Sequence, residues 1–308
     1  MSSYSVERSV LVGAPASAVF ARVRDFRQWP EWSPWLRAEP EAKLTFADDG
    51  TSYAWEGDVV GSGSITRVEE RTDEQLVMRL QFLKPFRSVA TTTLAFASEG
   101  AQTRIAWRME GAMPWFLFWM IPMMKGWIAM DYDNGLAMLK DLAETGVVPL
   151  KLTFRGVKPY PSATCLMIDA EGGPADSVGE AMRPVMEQLG PHLRAPATAP
   201  AGAPFTVYRE FAPAKNHCAF TVGYPLASSP AEPPEGARIV ERPAGRAYLL
   251  EMVGPYRHLG TAWSAAMAHQ RAKKFKADAK VPPFEIYEND PETTAEHELL
   301  TRIHLPAK

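Results

Sequence analysis

The sequence predicts two α+β domains in tandem. The first is an antiparallel sheet gripping a long closing helix, and the second is a pseudo-twofold domain built twice from strand, helix, strand, strand. Three observations carry this reading. The chain has 308 residues, and at roughly 100 to 200 residues per domain that is enough for two cores. Its composition changes in the middle: residues 1–146 hold eight of the nine Trp and no His or Cys, whereas all six His follow residue 190. Finally, Pro204-Phe-Thr-Val-Tyr-Arg-Glu recurs as Pro283-Phe-Glu-Ile-Tyr-Glu-Asn, an internal repeat. The seam falls at Thr145–Pro149, where a helical pattern stops at Gly146 and a strand-like run begins, giving domains of 1–146 and 147–308.

Composition narrows the function classes. Hydrophobic residues make up 46% and charged residues 22%, as in globular soluble chains. The net charge of −3 offers no broad basic surface for a phosphate backbone, so no direct nucleic-acid partner is expected. Cys165 and Cys218 form no CxxC pair, and the His residues lack ligand spacing, so neither a metal nor another cofactor is expected. The two cysteines form no disulfide framework and read as those of a reduced, cytoplasmic protein, and Glu7 and Arg8 interrupt the start where a signal peptide needs an apolar run, so export by that route is not expected. The most apolar stretch, MPWFLFWMIPMM at 113–124, is too short to span a bilayer and reads as buried or ligand-facing.

In the first half, Tyr4, Val6, Val10 and Val12 alternate as in a half-buried strand. Pro15 suits the first turn of a helix whose apolar face is Val19, Phe20, Val23 and Phe26. Trp29–Trp35 holds two prolines and cannot be regular helix. Six strand-like runs follow, near 42–47, 51–59, 63–70, 75–82, 87–97 and 103–110, separated by turn-prone Asp48-Asp49-Gly50, Thr72-Asp73-Glu74 and Ser98-Glu99-Gly100. A helix from about Trp115 to Glu144, bent near Pro122 and Gly126, closes the half. A sheet wrapped around that helix leaves room for a cavity, with Trp35, Trp55, Met78, Phe82, Trp107, Trp115 and Trp119 as candidate lining. Each of them also reads as ordinary core filling. Arg79, Arg108 and Glu110 read as solvent-facing.

The segments VFARVRDFRQWPEWSPW, GDVVGSGSI and DYDNGLAMLKDL resemble the polyketide cyclase/dehydrase branch of the START-like (SRPBCC) superfamily, over residues 3 to 145. That resemblance implies a helix-grip fold with a ligand-binding cavity. No nucleophile elbow, metal cluster or acid–base pair accompanies it, which counts against a cyclase or dehydratase.

In the second half the repeat extends upstream, where the segment from Ser162 parallels Gly245–Pro255, each followed by a helix. Two small sheets meeting about a pseudo-twofold axis would leave a groove suited to small molecules. GPYRHLG at 254–260 and PPFEIYENDPETTAEHELLTRIHLP at 282–306 resemble the GyrI-like family, also found as effector-binding domains of multidrug-responsive transcription activators. The resemblance implies an aromatic pocket around a carboxylate for lipophilic, often cationic, molecules, and it assigns the carboxylate to Glu285 with Tyr287 beside it. Alternation places both on one strand face and Glu288 on the other. The repeat makes Thr206 and Tyr208 the mates of Glu285 and Tyr287. Tyr256 and Trp263, at i and i+7, can share one helix face. Family members often carry Thr-Glu-Ile where this chain has Thr301-Arg302-Ile303, so Arg302 either pairs with Glu285 or alters the charge preference. Arg271–Lys276 reads as a solvated helix end, and His217, His258 and His304 receive no role.

The leading expectation is a protein that binds, sequesters or senses apolar, drug-like or toxin-like molecules. It has no recognisable DNA-reading helix-turn-helix, and the sequence sets no oligomeric state. The alternative is a GyrI-like hydrolase of strained electrophilic natural products, with Glu285 as general base and Tyr287 assisting.

Overall fold

Alternating apolar residues in the first half produce seven strands, and the computed structural model places them in one antiparallel sheet. The structure describes residues 2–172, 178–212, 217–228 and 232–308. Its strands are β1 (Ser2–Val12), β2 (Lys43–Phe46), β3 (Ser52–Glu56), β4 (Ser62–Arg71), β5 (Gln75–Lys84), β6 (Ser88–Glu99) and β7 (Gln102–Met113), ordered β1-β7-β6-β5-β4-β3-β2. Helices α1 (Ala16–Arg24) and α2 (Pro34–Ala38) lie between β1 and β2, separated by a 3₁₀ turn at Phe26–Glu31 that accommodates Pro30. After β7 comes a 3₁₀ turn, Trp115–Met120, and then α3 (Ile121–Thr145), which ends on Gly146 in the left-handed conformation.

The remaining residues contribute β8 (Lys151–Tyr160), β9 (Ala163–Gly172), α4 (Val178–Leu193), β10 (Phe205–Ala212), β11 (His217–Pro225), β12 (Arg238–Arg242), β13 (Gly245–Val253), α5 (Leu259–Arg271), β14 (Phe284–Tyr287) and β15 (Leu300–Ala307). The eight strands form one antiparallel sheet ordered β12-β9-β11-β10-β14-β15-β13-β8. The expected two small sheets are therefore one, because β10 and β14 hydrogen-bond directly with Thr206 opposite Glu285. Each repeat also has an extra leading strand. That strand crosses over: β8 pairs with β13 of the second repeat, and β12 pairs with β9 of the first.

The chain divides into two compact units, Met1–Pro149 with Arg257–Lys274, and Leu150–Tyr256 with Phe275–Lys308. Helix α5 thus packs with the first unit, against α2 and α3. Its attachment is polar as well as apolar. Asp141 on α3 receives Arg257 Nε at 3.1 Å and lies 2.7 Å from Nε2 of fully buried His258, whose pKa burial pushes down against the pull of that carboxylate. Asn134 Nδ2 donates to Ser264 Oγ at 3.2 Å, and His269 Nε2 lies 2.9 Å from the Ala38 carbonyl. A Cβ at Gly260 would stand 2.6 Å from Asn134 Oδ1, so the Asn134 side chain would have to shift. The basic helix end is engaged rather than simply solvated: Arg271 covers the Trp127 ring at 5.3 Å and Lys274 pairs with Asp58 at 2.7 Å.

The stretch expected to be buried or ligand-facing is a surface. Trp115, Phe116, Phe118, Trp119 and Met123 are all exposed, because the 3₁₀ turn projects beyond the end of β7 before α3 folds back along the sheet.

Candidate functional site

Strands β10 and β14 sit at the centre of the eight-stranded sheet, where antiparallel pairing and period-two alternation put Thr206, Tyr208, Glu285 and Tyr287 on one face. Glu285 is fully buried. Its Oε1 accepts hydrogen bonds from Tyr208 Oη at 2.8 Å and Tyr287 Oη at 2.6 Å. Thr206 Oγ1 lies 3.0 Å from Tyr287 Oη and donates to it, since the phenol proton is directed at the carboxylate. Tyr256 meets the Tyr287 ring edge-to-face at 5.7 Å. The half-buried Tyr208 and Tyr256 form the accessible part of the cluster.

Removing a carboxylate from water costs several kcal/mol unless donors compensate it, and the two phenols supply those donors. Burial, followed by the Glu285 charge, holds the Tyr208 and Tyr287 hydroxyls far above the ordinary phenol range, so both remain protonated donors. The same two causes push Tyr256 up to about 12 and the Cys218 thiol up to about 11.

Arg302 is not part of this cluster. Its neighbour Ile303 lies opposite Glu285, while Arg302 lies opposite Ile286 and points to the other face. There it binds Glu288 at 2.6 Å and Glu251 at 3.1 Å. The departure at Thr-Arg-Ile therefore brings no guanidinium to Glu285. Tyr256 belongs to a 3₁₀ turn, Tyr256–His258, and only Trp263 is on α5, so the two do not share one continuous helix face. Trp263 falls in the first unit.

In the first unit Trp107 is only 1% exposed and stacks on Tyr132 at 4.2 Å. Its Nε1 donates to Thr92 Oγ1 at 2.9 Å, and Thr92 Oγ1 lies 2.8 Å from Tyr132 Oη. Trp29 and Trp32 pack against the same ring, and Met78 is fully buried. Trp107 and Met78 thus belong to the packed interior. Trp35, Trp55 and Phe82 are half-buried: Trp35 Nε1 donates to Asp131 at 3.2 Å, and Trp55 meets Phe82 edge-to-face. Trp115 and Trp119 stand apart from the interior, with Trp119 64% exposed. Arg79 is exposed, and Arg108 and Glu110 pair with each other in solvent.

Sequence reasoning missed Met182, whose Sδ lies 3.2 Å from Tyr287 Oη. It also missed the Asp141–His258 pair, which joins residues more than a hundred positions apart and leaves no local pattern. Among the described residues no group of three His, Cys, Asp or Glu is arranged to hold a metal ion, and no helix is long and apolar enough to cross a membrane.

Comparison with known proteins adds family matches. Residues 3–144 match the family described as polyketide cyclase/dehydrase and lipid transport, and residues 158–308 match the GyrI-like small molecule binding domain. No curated protein matches the chain. Similar solved structures include protein CV1439 from Chromobacterium violaceum, 19% identical over 46% of this chain and 97% of that one, with a TM-score of 0.35. CalU16 from Micromonospora echinospora is 14% identical over 46% and 74% of the two chains, with a TM-score of 0.33. The EcmrR C-terminal domain is 16% identical over 52% and 98%, with a TM-score of 0.40.

Proposed function

Because the chain joins a polyketide cyclase/dehydrase and lipid transport domain to a GyrI-like small molecule binding domain, we propose that it senses or sequesters lipophilic small molecules, and that cationic ones engage the Glu285 face. One observation carries this reading: a fully buried carboxylate held by two phenols, with half-buried Tyr208 and Tyr256 bordering it. A charge buried at such cost in the middle of a sheet repays a ligand that brings a counter-charge and apolar surface. With Arg302 engaged on the opposite face, no contact from that residue neutralises the site. The geometry disfavours a hydrolytic role, because Oε1 already accepts two hydrogen bonds and is a correspondingly weaker base toward water.

The test is a thermal-shift titration of the full chain with three probes of similar shape: tetraphenylphosphonium, neutral triphenylphosphine oxide and tetraphenylborate. Ligand binding to the folded state raises Tm. The expected result is a rise with the cation that Glu285→Gln abolishes. An equal rise with the anion, or a cation response indifferent to Glu285→Gln, would remove Glu285 from the binding site.

A further inference from the structure

The first unit carries an exposed apolar surface that the Glu285 reading does not use. Phe82 pairs with Ser88 and Ala90 pairs with Gly111, so the β5–β6 hairpin and the segment after β7 emerge at the same end of the sheet. On the hairpin, Leu83, Phe86 and Val89 are exposed, Phe86 by 80%. On the 3₁₀ turn, so are Trp115, Phe116, Phe118 and Trp119. Large apolar residues scattered singly are ordinary, but this many gathered at one end of a fold mark an interaction surface.

Its charges identify the partner. Lys84, Arg87 and Lys125 are exposed among these residues. No Asp or Glu occurs between Glu74 and Glu99 or between Glu110 and Asp131. The β3–β4 turn emerges at the same end with three acids at it: Asp58 is paired with Lys274, Glu39 accepts from the Asp58, Val59 and Val60 amides, and Glu56 is exposed opposite Ser62, one strand away from Lys84. Tryptophan and phenylalanine interleaved with Lys and Arg favour the boundary between lipid headgroups and acyl chains, and anionic lipids attract the cations. Pairing two copies of this surface would instead oppose like charges.

We propose that this end of the first unit docks peripherally on anionic membrane surfaces, inserting Trp115, Phe116, Phe118, Trp119 and Phe86 at the interface while Lys84, Arg87 and Lys125 meet the headgroups. The proposal is independent of ligand binding over Glu285.

The experiment is flotation of the full chain with vesicles of phosphatidylcholine alone or with phosphatidylglycerol added. It is paired with quenching of tryptophan emission by acyl-chain-brominated lipid. Wild type is expected to float with the anionic vesicles and to be quenched. Trp115→Ser/Trp119→Ser and Lys84→Glu/Arg87→Glu are expected to lose binding by on the order of tenfold or more. These positions are exposed, so near-ultraviolet circular dichroism should show the Trp107–Tyr132 stack intact in each variant. Failure of wild type to float would overturn the proposal. So would flotation indifferent to both double variants, or size-exclusion behaviour showing that the patch instead joins two copies and does not bind vesicles.

Discussion

The two units place aromatic residues around a buried threonine, and they differ in what the ring cluster encloses. In the first, Thr92 links the Trp107 indole to the Tyr132 hydroxyl, and every group in the set is neutral. In the second, Thr206 supports Tyr287, and the tyrosines converge on a carboxylate. Similar residue types therefore serve packing in one place and a candidate binding face in the other. What separates them is the ionisable group, since the first set holds only neutral side chains and the second holds a fully buried carboxylate.

The largest expected effect tests the packing side. Trp107→Ala should cost about 3 to 5 kcal/mol, read from chemical denaturation, because the ring is enclosed by Trp29, Trp32 and Tyr132. A cost below about 1 kcal/mol would indicate an open cavity beside the ring.

Protons come next. His304, stacked on Phe284 at 4.5 Å, has its pKa pushed from 6.5 to about 4, first by burial and then by the Arg242 and Arg302 charges. The unfolded chain therefore takes up this proton first as pH falls. Stability that is complete above pH 6.5 is lost toward pH 4, by about 3 kcal/mol. Asp131 in the first unit works in the opposite sense: burial raises it to about 6, so its contribution is present below pH 3.8 and lost as pH rises to 6. Denaturation midpoints from pH 4 to 7.5 should flatten at the acid end in His304→Phe and rise near pH 6 in Asp131→Asn.

Smaller effects sharpen the binding side. Tyr287→Phe removes a donor to a buried carboxylate and should destabilise by about 1 to 3 kcal/mol. Glu285→Gln removes the charge but leaves an acceptor for both phenols, so stability should change by less than about 1 kcal/mol or improve. A large destabilisation by Glu285→Gln would give the carboxylate a structural role instead.

Much of this was legible in the chain. Period-two alternation and turn residues located the strands of the first sheet, and the repeat made Thr206 the equivalent of Glu285, but sequence equivalence does not say that the two strands pair directly. Arg302 was legible in part: counting by two from Ile303, opposite Glu285, puts the cation on the far face, but the facing pair is set by register and not by residue type. Hydropathy could not separate Trp107 from Trp119, because equal apolarity leaves open whether an indole ends in a core or beyond a strand end. The exchange of β8 and β12 between repeats, and the placement of α5 in the first unit, depend on contacts far apart in sequence and leave no periodic trace.

The placement of α5 has an optical consequence. Trp263, the one tryptophan of the second half, belongs to the first unit, so all nine indoles do. Intrinsic emission excited at the red edge of tryptophan absorption thus arises from indoles of that unit, while the second unit contributes only tyrosine. Any ligand that changes the indole spectrum therefore acts on the environment of first-unit residues, read with no label added to the protein.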